Sequence, residues 1–298
     1  MTDYITEVKN WIEPELENVF EPAVKDDITV QAACYSLYAG GKRIRPMMMY
    51  FTGKMLGADE ETFEDIRYYA ATLEMIHTYS LIHDDLPAMD NDDLRRGKPT
   101  CHKKFGEGIA VLAGDLLLNK AMERLLLKPV SVNKYSYASY NMARLAGIEG
   151  MIGGQSIDLE SEGKKIDLDT LHILQEKKTG ALIEAAITTP VLLIKGGEGK
   201  SPELDLLRRY SGHVGLAFQI QDDILDFTSS AEVLGKNTGK DERDEKSTFV
   251  TLLGLDVAKA ALDDEINGCY SCLKELAGMG YDTKAYEWLT DFLGKREN

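Results

Sequence analysis

RYYAATLEMIHTYSLIHDD, residues 67–85, decides how the fold is read. Ala70, Leu73, His77, Ser80 and Asp84 follow one another at three- or four-residue steps and so share one helical face. That face begins apolar and ends in carboxylate, the pattern of a helix that runs along the wall of a cleft with its acidic end near solvent. The same spacing recurs along the chain, period-2 alternation is scarce and β-branched runs are short, which predicts an all-α protein. Helix breakers fall at Pro14 and Pro22, at 57–59, 87–99, Pro129, 163–167, 190–202 and 229–246. Pro14 and Pro22 are expected to delimit short N-terminal helical pieces. No Ser/Pro-rich linker, low-complexity tract or fixed-period repeat interrupts the pattern. One single large helical bundle, a single all-α domain over residues 1–298, is therefore expected.

Composition narrows the function. The chain has 298 residues, 44% apolar and 28% charged, which excludes a disordered or fibrous class. Fifty acidic against 34 basic residues give a formal charge of −16, so nucleic acid and anionic lipid are repelled. No apolar run reaches the roughly 20 residues that span a bilayer, and the opening MTDYITEVKNWIEPELE lacks the basic and apolar regions of a signal peptide. No membrane insertion and a cytoplasmic address are expected. Four cysteines are too few for a disulfide scaffold, and the CxxC at Cys269 and Cys272 lacks a second ligand pair, so it reads as two reduced thiols on a helix.

The chemistry is carried by two acidic clusters. DDLPAMDNDD at 84–93 holds five Asp in ten residues. Two like charges at about 4 Å repel by roughly 4 kcal/mol at an effective dielectric near 20, so such a cluster stays solvated, protonates or holds a cation. All the donors are oxygen, with no Cys or paired His beside them, which favours a hard ion such as Mg²⁺ or Ca²⁺ over zinc. An EF-hand is excluded, because the sixth and twelfth positions from Asp84 are Met89 and Arg95 instead of Gly and Glu. Pro87 ends the helix, and the chain must loop out if Asp90 is to return beside Asp84. In the second cluster, DDILD at 222–226, Asp222 and Asp226 stand at i,i+4 with Phe218 and Gln219 one turn earlier. The run VGLAF at 214–218 is too apolar for a solvated surface, so these carboxylates should line a cleft and need a counter-ion. Mg²⁺ uses one or two carboxylates and completes its shell with water and substrate phosphate. A metal-chelated polyphosphate is the implied ligand.

Cations stand in matching places. Arg95, Arg96 and Lys98 follow the first cluster, and guanidinium pairs bind phosphate bidentately. In GGKRIRP at 40–46, Lys42 and Arg45 are expected on one helical face at i,i+3, as an anion clamp. Lys177, Lys178 and the lysines from Lys236 to Lys246 are further candidates. GGEGKS at 196–201 imitates a phosphate loop, but Ile194 stands where that pattern needs Gly, so it reads as a connector. No Ser-His-Asp constellation or HExxH motif is present, which leaves His83 and His213 as structural histidines.

Five ordered motifs, GGKRIRP at 40–46, HTYSLIHDDLPAMDNDDLRRGKPTCH at 77–102, GGQSIDLE at 153–160, KTGAL at 178–182 and FQIQDDILD at 218–226, closely resemble the short-chain trans-prenyl diphosphate synthases. The resemblance implies an all-α bundle around a deep central cavity, a homodimer, and three Mg²⁺ ions that bridge an allylic diphosphate to both Asp-rich motifs. Carried over by position, Asp84 and Asp90 would hold two ions with Asp85 beside them. Asp222 would hold the third, supported by Asp223 and Asp226. Arg95, Lys178 and Lys236 would meet the allylic diphosphate, and Lys42, Arg45, His77 and Arg96 would bind isopentenyl diphosphate. Thr179 and Gln219 would orient and stabilise the reacting carbons, and Asp158 would position Lys178.

The chemistry so implied is ionisation of an allylic diphosphate and attack on the carbocation by the isopentenyl double bond, with released diphosphate taking the proton. The family's chain-length determinants lie four and five residues before Asp84, at Ser80 and Tyr79. Helical phase puts Ser80 under Asp84 and Tyr79 about 140° away, so the role of Tyr79 rests on the resemblance. An aromatic there, with the insertion Pro87-Ala88, resembles bacterial farnesyl diphosphate synthases and favours a C15 product. A C20 geranylgeranyl product is the alternative, since an aromatic can swing aside by changing rotamer. A terpene cyclase would have no use for Lys42, Arg45, His77 and Arg96, and a non-catalytic subunit would be expected to lose one Asp-rich motif.

Overall fold

Asp3 opens the first helix by accepting the backbone N–H of Thr6, and α1 runs Tyr4–Glu17. This computed structural model of the chain describes residues 3–129, 131–196, 200–233 and 247–294. Contrary to expectation, Pro14 does not end a helix but lies inside α1. The ring removes one hydrogen bond, and the fully buried stripe Val8, Ile12 and Leu16 holds both sides of it in one helix.

Contacts divide the chain into two compact units, one of residues 1–143 with 189–199 and the other of residues 144–188 with 200–298. In the first, α2 (Ile28–Leu37) is capped by Asp27, α3 spans Ile44–Met55, and α4 spans Glu60–Asp84 behind an Asp59 cap. A two-residue antiparallel ladder, β1 (Leu94–Arg95) with β2 (Lys98–Pro99), follows. Then come α5 (Cys101–Phe105), α6 (Glu107–Leu127) and α7 (Asn133–Ala146).

The axis of this unit is α4, which packs on α6, α3, α2 and α1. With neighbours on several sides it is buried nearly all round, not on one face: Ile66, Tyr69, Ala71, Leu73, Met75 and Ile76 are fully covered. Each large apolar side chain so buried stabilises by about 1.5–3 kcal/mol. The face drawn from the sequence still changes along its length, for Ala70 and Leu73 are covered while His77, Ser80 and Asp84 are partly open. Charges within this core are paired: Glu74 with Arg43 at 2.8 Å, Arg124 with Glu15 at 2.7 Å, and Asp65 with Lys128 at 2.6 Å.

The second unit contains α8 (Met151–Ser161), α9 (Leu168–Gln175), a π-helical turn (Glu176–Gly180) and the part of α10 (Ala181–Lys195) up to Thr188. It continues with α11 (Pro202–Val233), α12 (Phe249–Leu253), α13 (Leu255–Gly278) and α14 (Lys284–Gly294). Pro190 was expected to break a helix and instead lies inside α10. The break expected from Ser229 also comes later, since α11 runs on to Val233; Ala, Glu and Ser in that stretch do not oppose helix. The 32-residue α11 packs on α13, α12, α14 and α9. Its core residues Ala217, Ile220 and Ile224 meet Leu171, Phe249, Val250, Ala258 and Leu262. Cys269 and Cys272 are buried free thiols on α13, as expected. Among the described residues no helix is long and apolar enough to cross a membrane.

Candidate active site

The first acidic motif sits where α4 stops. Asp85 is its C-cap, and Pro87 follows two residues later. The chain then loops back, so that the Asp90 N–H donates to the Asp84 carbonyl at 2.8 Å, with Asn91 in the left-handed region and donating to Leu86 at 3.1 Å. This is the return required to bring Asp90 beside Asp84. Asp84 is half-buried and Asp90 exposed.

Asp85, expected beside them as a metal ligand, turns inward instead. It is buried and accepts Arg95 Nε at 2.7 Å and Nη2 at 2.6 Å, while Asp92 stands 3.6 Å from the same guanidinium. Burial pushes the Asp85 carboxyl up, and Arg95 opposes the shift. Asp85 and Arg95 therefore fix each other, and Asp85 is committed to this pair rather than open beside Asp84. Among the described residues no three His, Cys, Asp or Glu side chains close on one point. The oxygen-only donors of Asp84 and Asp90, half-open to solvent at a helix end, fit a hard divalent ion that draws its remaining ligands from water or phosphate.

Arg96 and Gly97 form the two-residue turn of the β1–β2 hairpin, both with positive φ, 53° and 73°. A left-handed arginine is a strained choice, and here it aims the guanidinium at the loop before α3, where Arg96 Nη1 donates to the Gly40 carbonyl. Gly41 lies beneath it: a Cβ there would come 2.9 Å from Arg96 Cζ, at a φ of 125°. The sequence missed this hairpin, though the double glycine at 40–41 was its partner's signal.

The expected helical clamp of Lys42 with Arg45 is corrected. Arg43 takes a left-handed conformation as N-cap, so α3 begins at Ile44 and Lys42 precedes the helix. Arg43 is structural, bound to Glu13 at 2.8 Å, Glu74 at 2.8 Å and the Leu37 carbonyl at 2.9 Å. Arg45 differs, because its Nε is buried with no hydrogen-bond partner. An orphaned buried donor costs about 1–3 kcal/mol, which marks a place built to receive acceptor oxygens. Loss of hydration, then the charges of Arg45, Arg96, Arg95 and Arg43, push His77 well below the ordinary imidazole range. The ring is held neutral by burial and by the nearby arginine charges, an arrangement suited to an anion.

In the second unit, the Lys178 Nζ meets Asp158 Oδ2 at 2.5 Å, the pairing expected from the sequence. Lys178 and Thr179 belong to the π-helical turn, which the sequence did not reveal. Such turns re-aim side chains at functional sites. Gly154 on α8 makes room for it, since a Cβ at 154 would overlap the Lys178 backbone nitrogen. In α11, Ile220 and Ile224 face the core, which turns Asp222 and Asp226 the other way; Asp222 and Gln219 are half-buried and Asp226 exposed. Asp223 is tied to structure, its carboxylate accepting the Phe249 N–H at the start of α12 at 2.8 Å. Lys236, Lys240 and Lys246 lie outside the described residues.

Tyr79 is buried, and burial with the Asp84 charge pushes its phenol up to about 12. Ser80 Oγ donates to the His77 carbonyl at 2.9 Å.

Residues 26–281 match the polyprenyl synthetase family pattern. The chain is 45% identical over 270 residues to farnesyl diphosphate synthase of Escherichia coli, covering 90% of this chain and 89% of that protein. It is 43% identical over 260 residues to the chloroplastic geranylgeranyl pyrophosphate synthase of Capsicum annuum, covering 86% of this chain and 68% of that one. The crystal structure of a putative farnesyl-diphosphate synthase from Marinomonas sp. MED121 superposes with a TM-score of 0.80 at 35% identity over 98% of each chain. Matched by the family pattern over residues 26–281 and 45% identical to a farnesyl diphosphate synthase over 90% of its length, this chain belongs to the polyprenyl synthetase family.

Proposed function

We propose that the chain is a Mg²⁺-dependent prenyltransferase that condenses isopentenyl diphosphate with dimethylallyl or geranyl diphosphate to give farnesyl diphosphate, working as a cytoplasmic homodimer. The observation that carries this reading is the buried, unpartnered Arg45 Nε beside a His77 held neutral by burial and neighbouring arginine charge. A single-substrate cyclase has no need of a second anion site two turns up α4 from the acidic motif.

Asp84 and Asp90 would hold two Mg²⁺ ions, and Asp222, with Asp223 and Asp226, a third; these ions supply the charge that lets a diphosphate leave. The protein does the rest by position. Arg45, Arg96, Lys42 and His77 hold the diphosphate of the nucleophile, His77 through a neutral ring that can donate without adding charge. Lys178, steered by Asp158, and Arg95, oriented by Asp85, are each assigned to the allylic diphosphate. The Thr179 hydroxyl and Gln219 amide present fixed dipoles to the developing allylic cation. Tyr79 and Ser80 limit the depth available to the growing chain.

A C20 product is the second reading, favoured by the Tyr79 hydroxyl, which has no hydrogen bond to anchor the ring. Incubation with labelled isopentenyl diphosphate, geranyl diphosphate and Mg²⁺, followed by chromatographic sizing of dephosphorylated products, decides. A dominant C15 alcohol is expected; C20 would replace the product assignment, and no incorporation would overturn the activity.

A further inference from the structure

Tyr79 and His83 stand four residues apart on α4, and their rings meet edge to face, centroids 5.9 Å apart at 75°. The Tyr79 side chain is buried, yet its hydroxyl has no hydrogen-bond partner. Packing alone therefore orients the phenol ring. An aromatic held only by packing is a poor stop, because a change of χ1 removes it from the path.

His83, in contrast, is seated. Its Nε2 lies 3.1 Å from the Val111 carbonyl and 3.9 Å from the Asp115 carboxylate, both on α6. Between those residues, Gly114 provides the notch that the imidazole fills: a Cβ at 114 would overlap Nε2, Cδ2 and Cε1 of the ring. A side chain at 114 would evict the imidazole, and its contact with Tyr79 would go with it. The sequence left His83 as an ordinary structural histidine, and its place between a glycine notch and the proposed chain-length residue gives it a more particular task.

We propose that His83, seated against Gly114, is a positioning residue that locks the rotamer of Tyr79 and thereby excludes a fourth isoprene unit. This rests on the reading of Tyr79 as the floor of the chain-elongation cavity. Tyr79, with Ser80, then meets the growing chain, while His83 and Gly114 keep the Tyr79 ring in place.

The test sizes the dephosphorylated products of Tyr79→Ala, His83→Ala, Gly114→Ala and the Tyr79→Ala/His83→Ala double variant, each made with isopentenyl and geranyl diphosphates. Products of C20 and longer are expected to rise at least tenfold as a share of the total in each single variant. The double variant is expected to match Tyr79→Ala, since a lock has nothing to hold once the floor is gone. Chain-length share is a ratio within one reaction, so partial loss of folded enzyme does not move it. Gly114→Ala, remote in sequence from the acidic motif, serves where His83→Ala does not fold. If Tyr79→Ala lengthens the product while His83→Ala and Gly114→Ala stay at C15 with only lower melting temperature or kcat, the lock is overturned and the floor stands. A double variant that lengthens beyond Tyr79→Ala also overturns it. If Tyr79→Ala itself stays at C15, the floor is overturned and the lock with it.

Discussion

The backbone N–H of Asp90 donates to the carbonyl of Asp84 at 2.8 Å, closing a loop that returns residue 90 beside residue 84 at the end of a buried helix. The carboxylate between them in the motif, Asp85, is withdrawn into an ion pair with Arg95 at 2.6 Å. The three residues therefore differ in task. Asp84→Ala and Asp90→Ala are each expected to lower kcat by several orders of magnitude with an unchanged melting temperature, as loss of metal ligands requires. Asp85→Ala leaves Arg95 facing an empty partly buried position and is expected to lower the melting temperature as well. Steady-state kinetics beside calorimetric melts separate the two classes.

Arg96→Ala is expected to raise KM for isopentenyl diphosphate tenfold or more while leaving KM for the allylic substrate within twofold. Gly41→Ala should do the same in weaker form, because its Cβ would press on the Arg96 guanidinium and φ at 41 is 125°. Initial rates with each substrate varied in turn measure both. A larger effect on the allylic substrate would exchange the roles of Arg95 and Arg96.

His77 gives a pH signature with a definite sign. Its folded pKa lies well below the unfolded value of 6.5, so the unfolded chain binds more protons between the two. Its contribution to stability is complete above about pH 6.5 and is lost as pH falls through the folded value. His77→Gln is expected to flatten that part of the acid limb in chemical denaturation curves.

Gly154→Ala places a methyl against the backbone of Lys178 and cannot be relieved by turning a side chain. A loss of about 1–3 kcal/mol in denaturant stability is expected, together with lower turnover from a displaced Lys178.

Much of this was legible because it is local. Helical spacing, the stop before Pro87 and the return of Asp90 all follow from residues within one or two turns of each other. The same holds for the i,i+4 pair Asp222 and Asp226, set opposite Ile220 and Ile224. What the sequence hid depends on distant partners. Lys42 and Arg45 read as one helical face until Arg43, drawn to Glu13 and Glu74 some thirty positions away, takes a left-handed turn and starts the helix later. Asp85 read as a metal ligand and is instead drawn into an ion pair with Arg95, ten positions away. Pro14 and Pro190 sit inside helices because burial on both sides outweighs the lost hydrogen bond, a balance invisible to local propensity. The glycines at 41 and 154 are present for the close approach of Arg96 and of Lys178, and only the folded chain says which residues approach.

Titration calorimetry of a non-cleavable allylic diphosphate analogue, with and without Mg²⁺, on the natural chain and on Asp84→Ala and Asp222→Ala, tests the metal-assisted diphosphate chemistry most directly. Tight binding only with Mg²⁺, weakened at least a hundredfold in each variant, is the expected result. Binding of equal strength without the ion, or undiminished in both variants, would contradict it.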